Sequence, residues 1–455
     1  MRKVNAETVL SVLPHLFFVY YFSLSIHYYQ QRLFYSDNAY LLYRILQDKS
    51  FAIFHHRWIG LFTQWLPVIG IKLHCSMSTI SIAYSISLAL IYYAVFTWIY
   101  YGWKQKTYAL SILILLGLLQ HFAFYWQVSE INTGMPVFLV LIWLTKESVN
   151  TKNKVKLSLT SSLCALLILF IHPILSIVWV ACLGLLFIYF KDKNYLIALI
   201  IAVFILILKI TFLSGFESSK IHPLDIASYK WETIKSSYLY YSFKEMLQHQ
   251  FKIFMLLYLV FLLGILYRRK FILAISTIIN FIFFFLLIYY YLPNGAIVDY
   301  METYFIVMMI PILILMLLEL DKLKEDYKRI ATALIIGLCI YGLFKTKSEK
   351  LYKNRLVYLE SLLQKTESLS YIENGGLQDN VVMLAWAMPY ETLLKSTADG
   401  QSKSVYYNEH QLKISEIQDT SVFLGADWEQ YIVLNKLNPK YFKVKPAKYL
   451  QISGK

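Results

Sequence analysis

The sequence predicts a polytopic α-helical membrane protein, and three observations carry that prediction. Hydrophobic residues make up 58% of the 455 positions while only 16% are charged, against roughly 25% charged in a soluble globular chain. Several apolar runs are long enough to cross a hydrocarbon core of about 30 Å, which takes roughly 20 helical residues. The Lys and Arg residues behind a net charge of +15 fall mostly in short loops between those runs, where positive charge sets orientation. That placement excludes the nucleic-acid reading a basic chain invites, because no basic helix interleaved with aromatics is present. The 38 tyrosines and 30 phenylalanines suit interfacial belts and packed membrane cores.

Arg2 and Lys3 precede the first apolar run, at 8–26, and predict a cytoplasmic N-terminus. No small-residue cleavage site follows, so a retained signal anchor is expected. Residues 27–76 read as a long outer loop with two amphipathic or surface helices. The first opens at Ser36-Asp37, and at helical spacing Asp37, Tyr40, Arg44 and Asp48 share a polar face opposite Leu42, Ile45 and Leu46. Such a helix suits a membrane surface, with Ser36 or Asp37 as its cap and the helix N-terminus favouring a charged carboxylate. The second, 58–73, is interrupted by Gln64, Pro67 and Gly70. A full crossing there would invert everything downstream.

Further spans are expected at 78–98, 108–126 and 133–144, then two short helices over 157–190 with His172-Pro173 as their turn, and one at 195–213. A polar loop over 214–251 follows, carrying His222 and Asp225. Three more spans end at Arg268-Arg269-Lys270, at Glu319 to Arg329 and near Phe344, with one between them reaching Tyr291 and a loop over 293–304. With 58–73 on the surface, roughly eleven spans place every dense basic cluster on one side, and Asp37, Glu130, His172 and the 214–251 and 293–304 loops on the other. Residues 1–344 then form the membrane part. Residues 345–455 form a small extracytoplasmic α/β or α+β domain, with strands read at 380–386 and 420–425. The four cysteines form no metal or disulfide pattern.

Chemistry is expected where ionisable residues gather in the outer loops. Asp37 is a base or metal ligand, or only a helix cap. Glu130, in the tight loop 126–134, is a second acid that would hold a metal or an acceptor, or cap the next helix. His172 is a candidate contact or a packing residue; Asp299 and Glu302 are candidate contacts or caps; His55, His56 and Arg57 bind phosphate or mark the interface. No glycine-rich phosphate loop, HExxH or GxSxG motif is usable. A nucleotide-driven transporter is therefore disfavoured, and a soluble nucleotide-sugar enzyme is too, because the candidate residues face away from the cytoplasmic nucleotide pool.

One span followed by a long outer loop opening Ser36-Asp37-Asn38-Ala39-Tyr40 resembles the GT-C glycosyltransferases. The resemblance is to the branch of protein O-mannosyltransferases and the lipid A aminoarabinose transferase, which often carries an Asp-Glu-Ala-Tyr-like sequence there. Asp37, Ala39 and Tyr40 match, while Asn38 replaces the second acid. The resemblance implies an inverting transferase moving a sugar from a polyprenyl-phosphate donor to a lipid, glycan or protein acceptor at the outer face of a bacterial inner membrane. It makes Asp37 the general base or the group that orients the acceptor hydroxyl, and gives Glu130 to the acceptor or to a divalent cation (Mg or Mn) held by Asp37 and Glu130. Arg44, His55, His56 and Arg57 are left for the donor phosphate, and Tyr40, His172, Asp299 and Glu302 for acceptor or substrate contacts. The rival readings are a lipid-linked glycan flippase, an O-antigen-type polymerase or ligase, and a non-catalytic scaffold.

Overall fold

Local chemistry decides where the helices begin. Ser76 accepts the Thr79 N–H at 3.2 Å, Ser129 the Asn132 N–H at 3.3 Å and Asn153 the Lys156 N–H at 3.0 Å, each satisfying a donor that a helix start leaves free. His172 does the same ahead of Pro173, whose fixed φ suits the first helical position. The computed structural model describes residues 6–54, 57–151, 153–211, 230–292, 298–346, 350–377, 384–409, 412–414, 419–426 and 432–454, without the side chains of 6, 8, 210, 291 and 299.

The membrane part runs α1 (Ala6–His27), α2 (Tyr29–Leu33), α3 (Ser36–Asp48), α4 (Leu61–Lys72), α5 (Met77–Thr97), α6 (Lys106–Ile114), α7 (Glu130–Val149), α8 (Lys154–Leu169), α9 (Pro173–Phe190) and α10 (Lys193–Thr211). After the short α11 (Trp231–Ser236) come α12 (Tyr238–Gln248), α13 (Lys252–Tyr267), α14 (Phe271–Tyr291), α15 (Val298–Asp321) and α16 (Glu325–Thr346). Among the described residues six helices, α1, α5, α9, α14, α15 and α16, are long and apolar enough to cross a bilayer. The count is seven if α12 and α13, bent by 78°, form one broken span. The chain is thus a helical protein of membrane type, while α6, α7, α8 and α10 occupy the places of other expected spans and pack into the same bundle.

Close backbone approach tightens that bundle where side chains are smallest. A Cβ on Gly342 of α16 would collide with the Gly117 carbonyl oxygen, and one on Gly117 would stand 2.6 Å from the Cys339 carbonyl oxygen. Small residues at helix contacts are the usual device where lipid gives helices no hydrophobic reason to associate.

The segment 58–73 contains a twelve-residue helix, α4, about 18 Å long and too short to cross about 30 Å of hydrocarbon alone. It folds back on α5, with His74 in the turn at φ 60°.

Two expectations for α3 need correction. Its apolar face does not lie on lipid: Tyr43 packs against Tyr390, Phe423 and Phe442, all from the C-terminal region. Tyr40 does not join the polar face either, being buried against Phe54, Trp386 and Tyr390. Hydrophobic periodicity shows that a face is buried, not what buries it.

The C-terminal region is built from α17 (Lys350–Gln364), β1 (Leu369–Glu373), α18 (Met388–Ala398), β2 (Ser404–Asn408), β3 (Val422–Phe423), β4 (Ile432–Val433) and β5 (Leu450–Gln451). β1 is the centre of a parallel sheet, pairing Leu369 with Ser404 on one edge and Ser370 with Leu450 on the other. β3 and β4 form a separate antiparallel pair. The strand expected at 420–425 contains β3. Of the strand expected at 380–386, 380–383 lie outside the described residues and Ala385–Ala387 is a 3-10 turn.

Candidate functional site

Helix beginnings converge on one end of the bundle. The carboxyl group of Asp37, in the first turn of α3, accepts a hydrogen bond from the Tyr300 hydroxyl at 2.7 Å, and Tyr300 lies near the start of α15. The Trp126 ring stands edge-on to Tyr300 with centroids 3.7 Å apart. Glu130 opens α7 and forms an ion pair with Arg57 at 3.3 Å. His172 opens α9, and its ring meets that of Tyr304 edge-on at 6.3 Å. Each helix N-terminus carries a partial positive charge, so four of them together favour anions.

Electrostatics separate the roles of these groups. Burial pushes the Asp37 carboxyl up to about 6; the Tyr300 hydrogen bond opposes the shift and the neighbouring Glu130 charge adds to it. Burial, and secondarily the Arg57 charge, holds His172 well below its ordinary value, so its imidazole is neutral. Its Nδ1 accepts the Ile174 N–H at 3.3 Å, which leaves Nε2 to carry the ring proton. Near neutral pH the site therefore combines a mostly ionised but readily protonated acid, a paired acid, a guanidinium and a neutral imidazole. The Arg57 Nε atom is buried with no hydrogen-bond partner among the described residues.

Asp37 does not act as the helix cap. The residue before α3, Tyr35, supplies no side-chain cap, and Ser36 takes the left-handed conformation at φ 49°. The Ser36 N–H is instead satisfied at 2.5 Å by Glu391 of α18. That carboxylate is clamped by Arg355 of α17 through bonds of 3.0 and 2.6 Å, with both side chains almost fully buried. The C-terminal region thus holds the backbone next to the candidate acid.

Asn38, where the resembled family has an acid, ties α3 to the loop beneath it. Its amide donates to the carbonyl oxygens of Arg32 at 2.5 Å and Tyr125 at 2.8 Å, and its Oδ1 accepts the Val128 N–H at 3.0 Å. Arg32 is fully buried and donates to the Phe124 and Ser85 carbonyl oxygens at 2.9 and 2.7 Å and to the Gln127 side chain. These two residues fix the 123–128 loop that leads into Glu130.

Of the residues singled out from sequence, Asp37, Glu130, Arg57 and His172 come together. Arg44 does not join them; it pairs with Asp48 at 2.8 Å on the outside of α3. Tyr40 packs in the aromatic core described above. Glu302 is buried and accepts the His121 and Ala123 N–H groups at 2.8 and 2.5 Å, bracing the same loop from below. His55, His56, His222, Asp225 and the side chain of Asp299 lie outside the described residues. Tyr300, Trp126, Arg32 and the Arg355–Glu391 pair were not anticipated. Tyr300 lies between Asp299 and Glu302, and a tyrosine there carries no sequence signal that sets it apart from the other interfacial tyrosines.

Among the described residues the set does not fit a divalent cation. Asp37 and Glu130 are each already engaged, by Tyr300 and Arg57, and no three His, Cys, Asp or Glu side chains converge among the described residues. A scan of protein-family models found no match to this chain, and neither the curated proteins nor the solved structures compared with it contain one.

Proposed function

We propose that the chain is a membrane glycosyltransferase that takes a sugar from a polyprenyl-phosphate donor, with Asp37 as its general base. The observation that carries this reading is the Asp37 carboxyl itself, freed from capping, held by Tyr300 and set beside Glu130, Arg57 and His172. A base works best with a pKa near the operating pH, and a carboxyl pushed up to about 6 accepts a proton more readily than an ordinary aspartate. In this reading the Asp37 carboxylate takes the proton of an acceptor hydroxyl as its oxygen attacks the anomeric carbon. The bond from that carbon to the phosphate oxygen breaks, and polyprenyl phosphate leaves with the electron pair. Arg57 and the helix N-termini stabilise the leaving charge, while Glu130 orients the guanidinium or the acceptor. The exposed rings of Trp58, Phe62 and Trp65 follow Arg57 and suit the apolar tail of such a donor.

The topology that goes with this reading has eleven crossings. The six qualifying helices, the bent α12–α13 pair and the four further apolar helices α6, α7, α8 and α10 supply them. An odd number places the 345–455 region opposite a cytoplasmic N-terminus, on the outer face of a bacterial inner membrane with the Asp37 site.

The test is a chromosomal Asp37→Asn exchange, with surface glycans and glycolipids analysed by mass and membrane abundance checked by blot. Loss of the sugar that a full deletion loses, at normal abundance, is the expected result. Glycans identical to wild type would overturn the assignment.

A further inference from the structure

The far end of α15 carries a second polar cluster that plays no part in the reading above. From Tyr300 to Glu319 the helix advances about 28 Å, close to the hydrocarbon thickness of about 30 Å. Glu319 therefore lies at headgroup depth in the leaflet opposite Asp37. It is mostly buried, and cations from two separate turns close on it. The turn between α13 and α14 supplies Arg268, bonded to Oε2, and Lys270, 2.7 Å from Oε1. The end of α15 supplies Lys322, 3.6 Å from Oε1. The Lys270 and Lys322 ammonium groups also stand 5.2 and 4.2 Å from the centre of the Tyr189 ring, at the end of α9.

Charge accounting separates this cup from an ordinary basic loop. One carboxylate cannot neutralise three cations, so two positive charges remain in excess. Asp321 does not supply the balance, because it is taken by Lys328 at 3.2 Å and Thr107 at 3.0 Å. The three cations remain accessible, with 43%, 35% and 51% of the Arg268, Lys270 and Lys322 side chains exposed. Cations that only set orientation need no shared acid or ring to gather them. Directly alongside, Phe271, Ile272 and Ile275 of α14 turn outward as an apolar strip starting at the same depth.

We propose that this cup binds the phosphate headgroup of an anionic phospholipid, whose acyl chains lie along the α14 strip. The headgroup completes the charge that Glu319 leaves unbalanced, and the strip supplies what a free anion does not use. A basic pocket between helices at headgroup level is suited to such a lipid.

The test uses the full-length protein, purified in detergent, with Tm and co-purified lipid per protein measured by mass spectrometry. Phosphatidylglycerol is expected to raise Tm, whereas phosphatidylcholine and inorganic phosphate at matched concentration are not. Lys270→Ala and Lys322→Ala, made singly, should each weaken the apparent affinity for phosphatidylglycerol about five-fold, from the ~1 kcal/mol a basic residue contributes at an anionic surface. Lys154→Ala, at the start of α8 on the same end of the bundle and outside the Glu319 cluster, should leave it unchanged. Glu319→Gln removes the competing acid and should raise the bound phosphatidylglycerol. Three results would each overturn the proposal: an equal response to phosphatidylcholine, a full response to phosphate alone, or phosphatidylglycerol affinity unaffected by both lysine exchanges.

Discussion

At the scale of single residues, Asp37 is held in tension by neighbours of opposite effect. Tyr300 donates to the carboxylate and favours its ionised form, whereas Glu130 and burial disfavour it. Tyr300→Phe should therefore move the acid limb of a pH–rate profile upward from about 6, and Glu130→Gln should move it downward. Rate should rise with pH through that midpoint, since the base must be ionised, with about a tenth of Asp37 ionised one pH unit below it. Stability runs the other way. An aspartate whose folded pKa is raised above its unfolded value stabilises fully below the unfolded value, and that contribution is lost as pH rises through about 6. Asp37→Asn should consequently raise Tm relative to wild type at pH 8, and the advantage should vanish near pH 4. Thermal denaturation of the two proteins across that range checks the sign.

At the scale of elements, α3 depends on two partners far away in the chain. The Arg355–Glu391 pair is buried and satisfies the Ser36 N–H, so removing one partner leaves an uncompensated charge. Arg355→Met should cost about 3–5 kcal/mol of stability, read as a loss of Tm in the purified protein. The apolar face of α3, its acid and its start near Ser36 were legible from helical spacing. Its docking surface was not, because periodicity marks a buried face without naming what covers it. The grouping of Asp37, Glu130, Arg57 and His172 at one end was legible from the alternation of basic loops, which set the same-side assignment. Tyr300 was not, since a tyrosine near a span boundary is ordinary in so aromatic a chain. The parallel strands β1 and β2 escaped notice because each is only five residues long and mostly buried on both faces, which removes the alternation that betrays a strand.

At the scale of the whole molecule, the bundle closes where Gly342 of α16 meets Gly117 in the turn that follows α6. Gly342→Leu should force the two backbones apart at a cost of roughly 1–3 kcal/mol, lowering Tm; Gly337→Ala on the same helix, where a Cβ meets nothing within 4 Å, should not. The contact between Ser36 and Glu391 joins positions 355 residues apart. At a synthesis rate of about 5–20 residues per second, roughly 20 to 70 s separate the two positions on the ribosome. Throughout that interval the Ser36 N–H lacks its Glu391 partner and Tyr43 lacks Tyr390, Phe423 and Phe442. A chain interrupted before α18 therefore carries every residue of the Asp37 cluster yet lacks the groups that hold it in place. The candidate site is therefore held in place only once α17 and α18 have been made.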